Sequence, residues 1–172
     1  MAVTEFRSEL TVGTGFQDAR TVTMIAADTS IAIWGPVVLA SGAVNALPKA
    51  ASTTNAGDAL VFGVCVALPR SGTITANTSV IEVCVLGFCK VKSVSANHSL
   101  NDPLETSATA GRAQLQAQIV IDGSSLANLD TTTTNALNAI RKCFGVALTT
   151  VASGANSILL AKIGINHVQT VG

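Results

Sequence analysis

The sequence predicts a mainly β domain built from two related units, and three observations carry that prediction. An apolar phrase, "VFGVCVAL" at 61–68, returns in shortened form as "CFGVAL" at 143–148. Apolar runs throughout the chain are short and are separated by Gly, Pro, Asn and Ser clusters, the punctuation of strands and turns. The 172 residues are 48% hydrophobic, 12% charged and 3% aromatic, and the excess of Val, Thr and Ala suits pleated, partly buried surfaces.

Residues 1–27 come first and make a poor core element. Phe6, Leu10, Val12 and Phe16 are spaced by "VGTG" and by charged residues, so this stretch reads as an extended N-terminal arm. Such an arm gains order by adding a strand or apolar anchors to a neighbouring subunit. The β domain then covers 28–172.

Its first unit occupies about 35–95. Gly35 and Pro36 open "VVLASGAVNALPKA", in which Gly42 is read as the turn of a hairpin. The polar spacer "ASTTNAGD" leads to Val61–Leu68, whose continuous apolar run predicts a strand covered on both faces. A turn at "PRSGTITANTS" precedes the strand "VIEVCVLGFCKVKS".

The second unit, about 100–168, follows the same order. Pro103 opens a strand, Gly111 turns it, a longer spacer leads to "CFGVAL", and "ILLAKIGINHV" closes the unit. The landmarks pair as Pro36 with Pro103, Phe62-Gly63-Val64 with Phe144-Gly145-Val146, Asn77 with Asn156, and Gly87 with Gly164. Gly63 and Gly145 predict a close backbone approach or a bulge at one shared position. The longer spacer predicts one short helix over 134–142. Thr133 or Thr134 caps it, Leu137 and Ile140 share a face, and Arg141 and Lys142 suit its C-terminal end.

Composition also excludes functions. Ten basic and ten acidic residues are interspersed, and no basic stripe alternates with aromatics, which argues against a nucleic-acid partner. The two long uncharged stretches, 29–48 and 143–161, are broken by Gly, Pro, Ser and Asn, which argues against membrane insertion. "MAVTEFRSEL" carries charges where a secretion signal needs an apolar core, so synthesis in the cytoplasm is expected. Cys65, Cys84, Cys89 and Cys143 lie in apolar runs without C-x-x-C spacing and are expected to be buried thiols rather than metal ligands or disulfides.

The residues offer no catalytic machinery and no cofactor site. His98 and His167 are read as surface histidines, and Asp102 and Glu105 as solvated loop acids flanking Pro103. Ser124 and Ser125 follow a Gly but lack the G-x-S-x-G elbow. Gly13-Thr14-Gly15 lacks the later Gly and Lys of a phosphate loop. Trp34 is read in an apolar strand and is expected in the core, so no exposed aromatic platform for a sugar is visible.

"FGVCVALPRSGTITANTSVIEVCVLGFCKV", preceded by "GPVVLASGAVNALPKA", resembles the capsid decoration proteins of tailed phages, also called cement or head-stabilising proteins. The likeness covers about residues 35–165, with Gly35-Pro36-Val37-Val38 as the entry strand, echoed by Asn101-Asp102-Pro103-Leu104. It implies a compact β barrel of the β-tulip type, usually a trimer at three-fold positions on the outer capsid surface. It also implies an arm that reaches across the major capsid protein, which makes Phe6, Arg7, Leu10, Val12 and Phe16 the expected capsid contacts. The doubled unit and the extra helix depart from a minimal family member. Two other readings remain open at the level of the residues: another minor virion protein such as a head-fibre base, and a secreted carbohydrate-binding or adhesion module.

Overall fold

The computed structural model describes residues 19–56, 61–94, 98–116, 122–150 and 157–164. Nine strands and one helix run in the order β1 (Arg20–Ala26), β2 (Pro36–Val44), β3 (Leu47–Ser52), β4 (Val61–Ala67), β5 (Val80–Ser93), β6 (Pro103–Thr106), β7 (Ala113–Leu115), α1 (Leu126–Lys142), β8 (Gly145–Ala147) and β9 (Ser157–Ile163). The fold is mainly β, as the residue pattern predicts.

Hydrogen bonding closes these strands into two five-membered rings. The strand order β1-β3-β2-β4-β5-β7-β6-β8-β9 is completed by pairings of β1 with β5 and of β5 with β9. Ring one is therefore β1-β3-β2-β4-β5, and ring two is β5-β7-β6-β8-β9. Among the described residues, closure leaves no long strand edge unpaired. β5 belongs to both rings. Its first half pairs with β1 and β4, and its second half, from Gly87 to Ser93, pairs with β9.

The second ring repeats the first in register. Pro36 pairs with Val64 and Val37 with Gly63; Pro103 pairs with Val146 and Leu104 with Gly145. Arg20 faces Leu86 in ring one, and Gly87 faces Ile163 in ring two, so Gly87 and Gly164 occupy equivalent sites with φ of 108° and 85°. The entry turns match as well. The N–H groups of Trp34 and Asn101 donate to the carbonyls of Cys65 and Ala147, and both residues have positive φ, 65° and 70°. Each ring even has one parallel pairing at the same place, β1 with β3 and β5 with β7.

The packing explains the long apolar run at 61–68. One core holds Met24, Val37, Cys65, Ile81 and Val83; the other holds Val64, Val66, Cys84, Val91, Leu104 and Leu159. Alternate side chains of β4 thus enter different cores, so every position from Gly63 to Val66 is buried. A strand with apolar partners on both faces needs no polar alternation. In β5 the odd-numbered Ile81 and Val83 enter the first core. Beyond Gly87 the odd-numbered Cys89 and Val91 enter the second, as expected where a positive-φ glycine resets the pleat.

Several sequence expectations need correction. The stretch 1–27 is not all arm, because Arg20–Ala26 is a barrel strand whose Met24 and Ala26 are fully buried. The two units overlap through β5 rather than following one another as 35–95 and 100–168. Gly42 does not turn the β2–β3 hairpin; it sits in the register shift between Ala40 and Ala43, while Asn45 and Ala46, with φ of 50° and 64°, form the turn. Trp34 is buried as expected, but it lies in a turn and not in a strand.

The helix is longer than predicted and begins eight residues before Thr134. Ser125 is its cap: extended at φ −148°, it accepts a hydrogen bond at Oγ from the Asn128 N–H at 3.1 Å. Thr132 Oγ1 donates to the Asn128 carbonyl at 2.7 Å, which lets a β-branched residue sit within a helix by bonding back to its own backbone. Arg141 and Lys142 do close the last turn, where cations suit the dipole.

Candidate interaction surface

The polar groups inside the molecule are structural. Ser93 and His98, both buried, meet with Oγ and Nε2 2.6 Å apart, and the Ser93 hydroxyl also donates to the Ala113 carbonyl at 3.1 Å. A hydroxyl has one proton; with Ala113 taking it, His98 is protonated on Nε2 and donates to Ser93. Nδ1 then carries a bare lone pair, and it has no hydrogen-bond partner. A nucleophile–base pair needs a third group on Nδ1 and an opening to substrate. Asp102 instead accepts from the Ser99 N–H, and Ser93 is fully buried. The pair fastens the end of β5 to the entry of ring two.

This overturns the surface reading of His98. Burial pushes its pKa below the ordinary 6.5, against a smaller upward pull from Asp102. A depressed histidine pKa means that the unfolded chain takes up the proton at higher pH than the folded one. Stability is then fully present above about 6.5 and falls as pH drops through the gap between the two values. Urea midpoints should hold between pH 8 and 7 and decline below about 6.5, and His98→Gln should remove that part of the decline. An unchanged slope in the variant would show that other groups set it.

Glu105 is likewise not a loop acid. It lies buried in β6 and its Oε1 accepts from Gln114 Nε2, its cross-strand neighbour, at 2.7 Å. The four cysteines are free and buried. Burial pushes the Cys65 thiol up to about 12 and raises Cys143 as well. Cys84 and Cys89 interact across the Gly87 bend, which lowers Cys84 and, together with burial, raises Cys89 well above its usual range. Thiols raised by burial, as Cys65, Cys89 and Cys143 are, make poor nucleophiles. Trp34 is covered by the barrel, and the Lys90 ammonium lies 5.4 Å from its ring centroid. That stacking occupies the face a sugar would need. Among the described residues no cluster of metal-ligating side chains is found, and no helix is long and apolar enough to cross a membrane.

What distinguishes the two rings is at the surface. The connection between β3 and β4 spans 53–60, whereas its counterpart between β7 and β8 spans 116–144 and contains α1. Among the described residues no strand makes an extended contact with that helix, and Ala136 is its one buried side chain among those described. Leu126 is 86% exposed, Leu137 53%, Ile140 41% and Leu129 39%. At 100° per residue, these four with Thr133 and Ala136 fall within one stripe about 100° wide. Leu137 and Ile140 do share a face, as the sequence suggests, but the face points to solvent. Leu126 and Leu129 belong to the same stripe. Their spacing was available in the sequence, hidden by reading 122–133 as a spacer.

The expected arm contacts, Phe6, Arg7, Leu10, Val12 and Phe16, lie outside the described residues, as does His167.

No protein-family model and no curated protein sequence matches the chain. Among solved structures, it is similar to the head fiber gp8.5 N base of bacteriophage phi29, with a TM-score of 0.46 and 11% identity. The match covers 84% of this chain and 92% of that one. At this level the likeness carries no functional argument.

Proposed function

We propose that this chain is a structural protein of a tailed-phage virion that binds the outer surface of the mature capsid and stabilises contacts between capsomers. The observation that carries the reading is the asymmetric insertion. Two barrels matched in register differ by a helix whose large apolar side chains face solvent, which marks an assembly surface rather than a reaction site. The resemblance to decoration proteins over about residues 35–165 suggests the partner, the major capsid protein. The interior supports a non-enzymatic role, since its serine, histidine, glutamate and cysteines are consumed in packing.

A protein of this kind works by area. Interfaces of about 800 Å² per partner, repeated around a shell, add stability through summation. With 12% charged residues, such contacts form without stripping water from many ions. The arm, with Phe6, Arg7, Leu10, Val12 and Phe16, would gain order on the shell, and copies would group at three-fold positions.

Co-sedimentation with expanded and unexpanded heads tests this. Deletion of residues 1–18 leaves β1 and every other described strand whole, and circular dichroism of the truncated chain checks that it is folded. Saturable binding to expanded heads, weakened by the truncation, is the expected result. Absence of binding to either head form would overturn the reading. Binding followed by recruitment of a separate fibrous protein would instead assign the chain to the base of a head fibre.

A further inference from the structure

We propose that the outer face of β5 and β9 in ring two is a docking surface for an acidic protein segment with aliphatic residues set among its carboxylates. The inference goes beyond shell binding and does not depend on it.

The strand register builds the face. Phe88, Lys90 and Lys92 on β5 stand opposite Lys162, Leu160 and Ile158 on β9. The residues between them, among them Cys89, Val91, Leu159 and Ala161, are buried in the second core. The six facing side chains therefore lie together on the other side of the strand pair. Lys162 and Ile158 are exposed, Ile158 at 50%, and the other four are partly exposed. The chain has five lysines, and three of them are on this face.

Their charge has no local answer. Opposite charges across a strand pair are stabilising, yet each of the three lysines has an apolar residue opposite it. Lys90 and Lys92 are about 7 Å apart along the strand, and Lys162 lies diagonal to Lys90 at about 7–8 Å. No acid occurs in β7, β8, β9 or the half of β5 beyond Gly87. Glu105 of β6 is buried against Gln114. Although the whole chain is formally neutral, this face repels itself until carboxylates arrive. Lys90 is also held in place, its ammonium over the Trp34 ring at 5.4 Å, so part of the ordering needed for binding is already complete.

The neighbours of the lysines select a protein over a nucleic acid. Nucleic-acid surfaces offer open aromatic faces on which bases stack, often with arginine. Here Lys90 caps Trp34, Phe88 is partly covered, and the face has no arginine. Ile158 and Leu160 stand among the cations instead, and aliphatic side chains between carboxylates complement both.

The test is fluorescence anisotropy on the full chain with a dye-labelled peptide of four Glu-Glu-Leu repeats. Saturable binding is expected. It should weaken about tenfold between about 0.1 M and about 1 M salt, where the screening length falls from about 10 Å to about 3 Å. The same peptide with Gln in place of Glu should not bind. Lys92→Glu combined with Lys162→Glu should lower affinity about tenfold or more while far-UV circular dichroism stays native, and should let a Lys-Lys-Leu peptide bind instead. Acceptance of the opposite charge is a signature that loss of structure cannot produce. Lys92→Gln with Lys162→Gln should fall between the parent and the reversal, and Lys49→Glu, in ring one, should leave binding at the parent level. Absence of saturable binding, equal binding of the Gln peptide, indifference to the double reversal, or tighter binding of an oligothymidylate than of the acidic peptide would each overturn the proposal.

Discussion

Gly63→Ala is expected to cost about 3 kcal/mol of folding stability, among the larger effects of a single methyl group. A Cβ at this position would collide with the Cys84 carbonyl oxygen and stand 2.7 Å from Val83 Cγ1. Both belong to the neighbouring strand β5, so neither can swing away as the end of a long side chain could. β4 and β5 would have to separate where they divide the two cores, loosening Val64 and Cys65 on opposite faces together. For a domain of this size, that loss lowers the melting temperature by about 10 °C. Gly145→Ala, which meets the Lys162 carbonyl at 2.7 Å in the second ring, should follow in the same direction with a smaller effect. Gly123→Ala is the control, because nothing lies within 4 Å of its Cβ, and it should stay within about 0.5 kcal/mol of the parent. Urea unfolding checks all three. A Gly63→Ala midpoint matching that of Gly123→Ala would show that the strands tolerate more distance than the structure gives them.

Leu104→Ala should be comparably damaging for the opposite reason. Leu104 is fully buried in the second core, on a strand only four residues long, with Leu115 on one side and Gly145 on the other. Its own carbonyl accepts from the Phe144 N–H at 3.0 Å, so the backbone around it is held and cannot collapse into the space left behind. Large-to-small substitutions at such sites cost about 2–5 kcal/mol. Leu126→Ala removes a side chain of the same size from the exposed helix and should leave stability within about 0.5 kcal/mol, apart from any effect on association. The pair of variants separates the side chains that hold the fold from those that face outward. Equal costs at both positions would mean that the helix is part of the core.

The doubling of the fold was legible because its markers are residues with few substitutes. Pro36 and Pro103, Gly63 and Gly145, and Gly87 and Gly164 each sit where ring geometry asks for a fixed φ, a missing Cβ or a positive φ. Equivalent geometry therefore left equivalent letters. The sharing of β5 was not legible, since a 14-residue strand serving two rings looks like any long strand with a glycine inside it. The sequence reading of β1 failed on local composition. Met24, Ile25 and Ala26 form a short apolar end to a polar stretch, and their burial comes from pairing with a strand some sixty positions away. The helix start was misjudged because four consecutive threonines have poor helix propensity, and the side-chain bond from Thr132 to its own backbone offsets that tendency. His98 and Glu105 stand beside turn-forming residues, and only the return of ring two against β5 encloses them. The arm residues Phe6 to Phe16 were chosen for a partner outside the chain, so nothing in the barrels bears on them.

Separate five-stranded rings would need ten strands, and the described residues build two from nine. Between barrels joined by a linker, load passes through a flexible hinge, and each side can tilt or shed the other. Here tension applied to one barrel reaches the next along the covalent backbone of β5, with hydrogen-bonded neighbours sharing the shear on both sides of Gly87. The two barrels cannot be peeled apart without tearing a strand from one of them. On a surface that swells and strains, such a chain would behave as a stiff rivet and not as two beads on a thread.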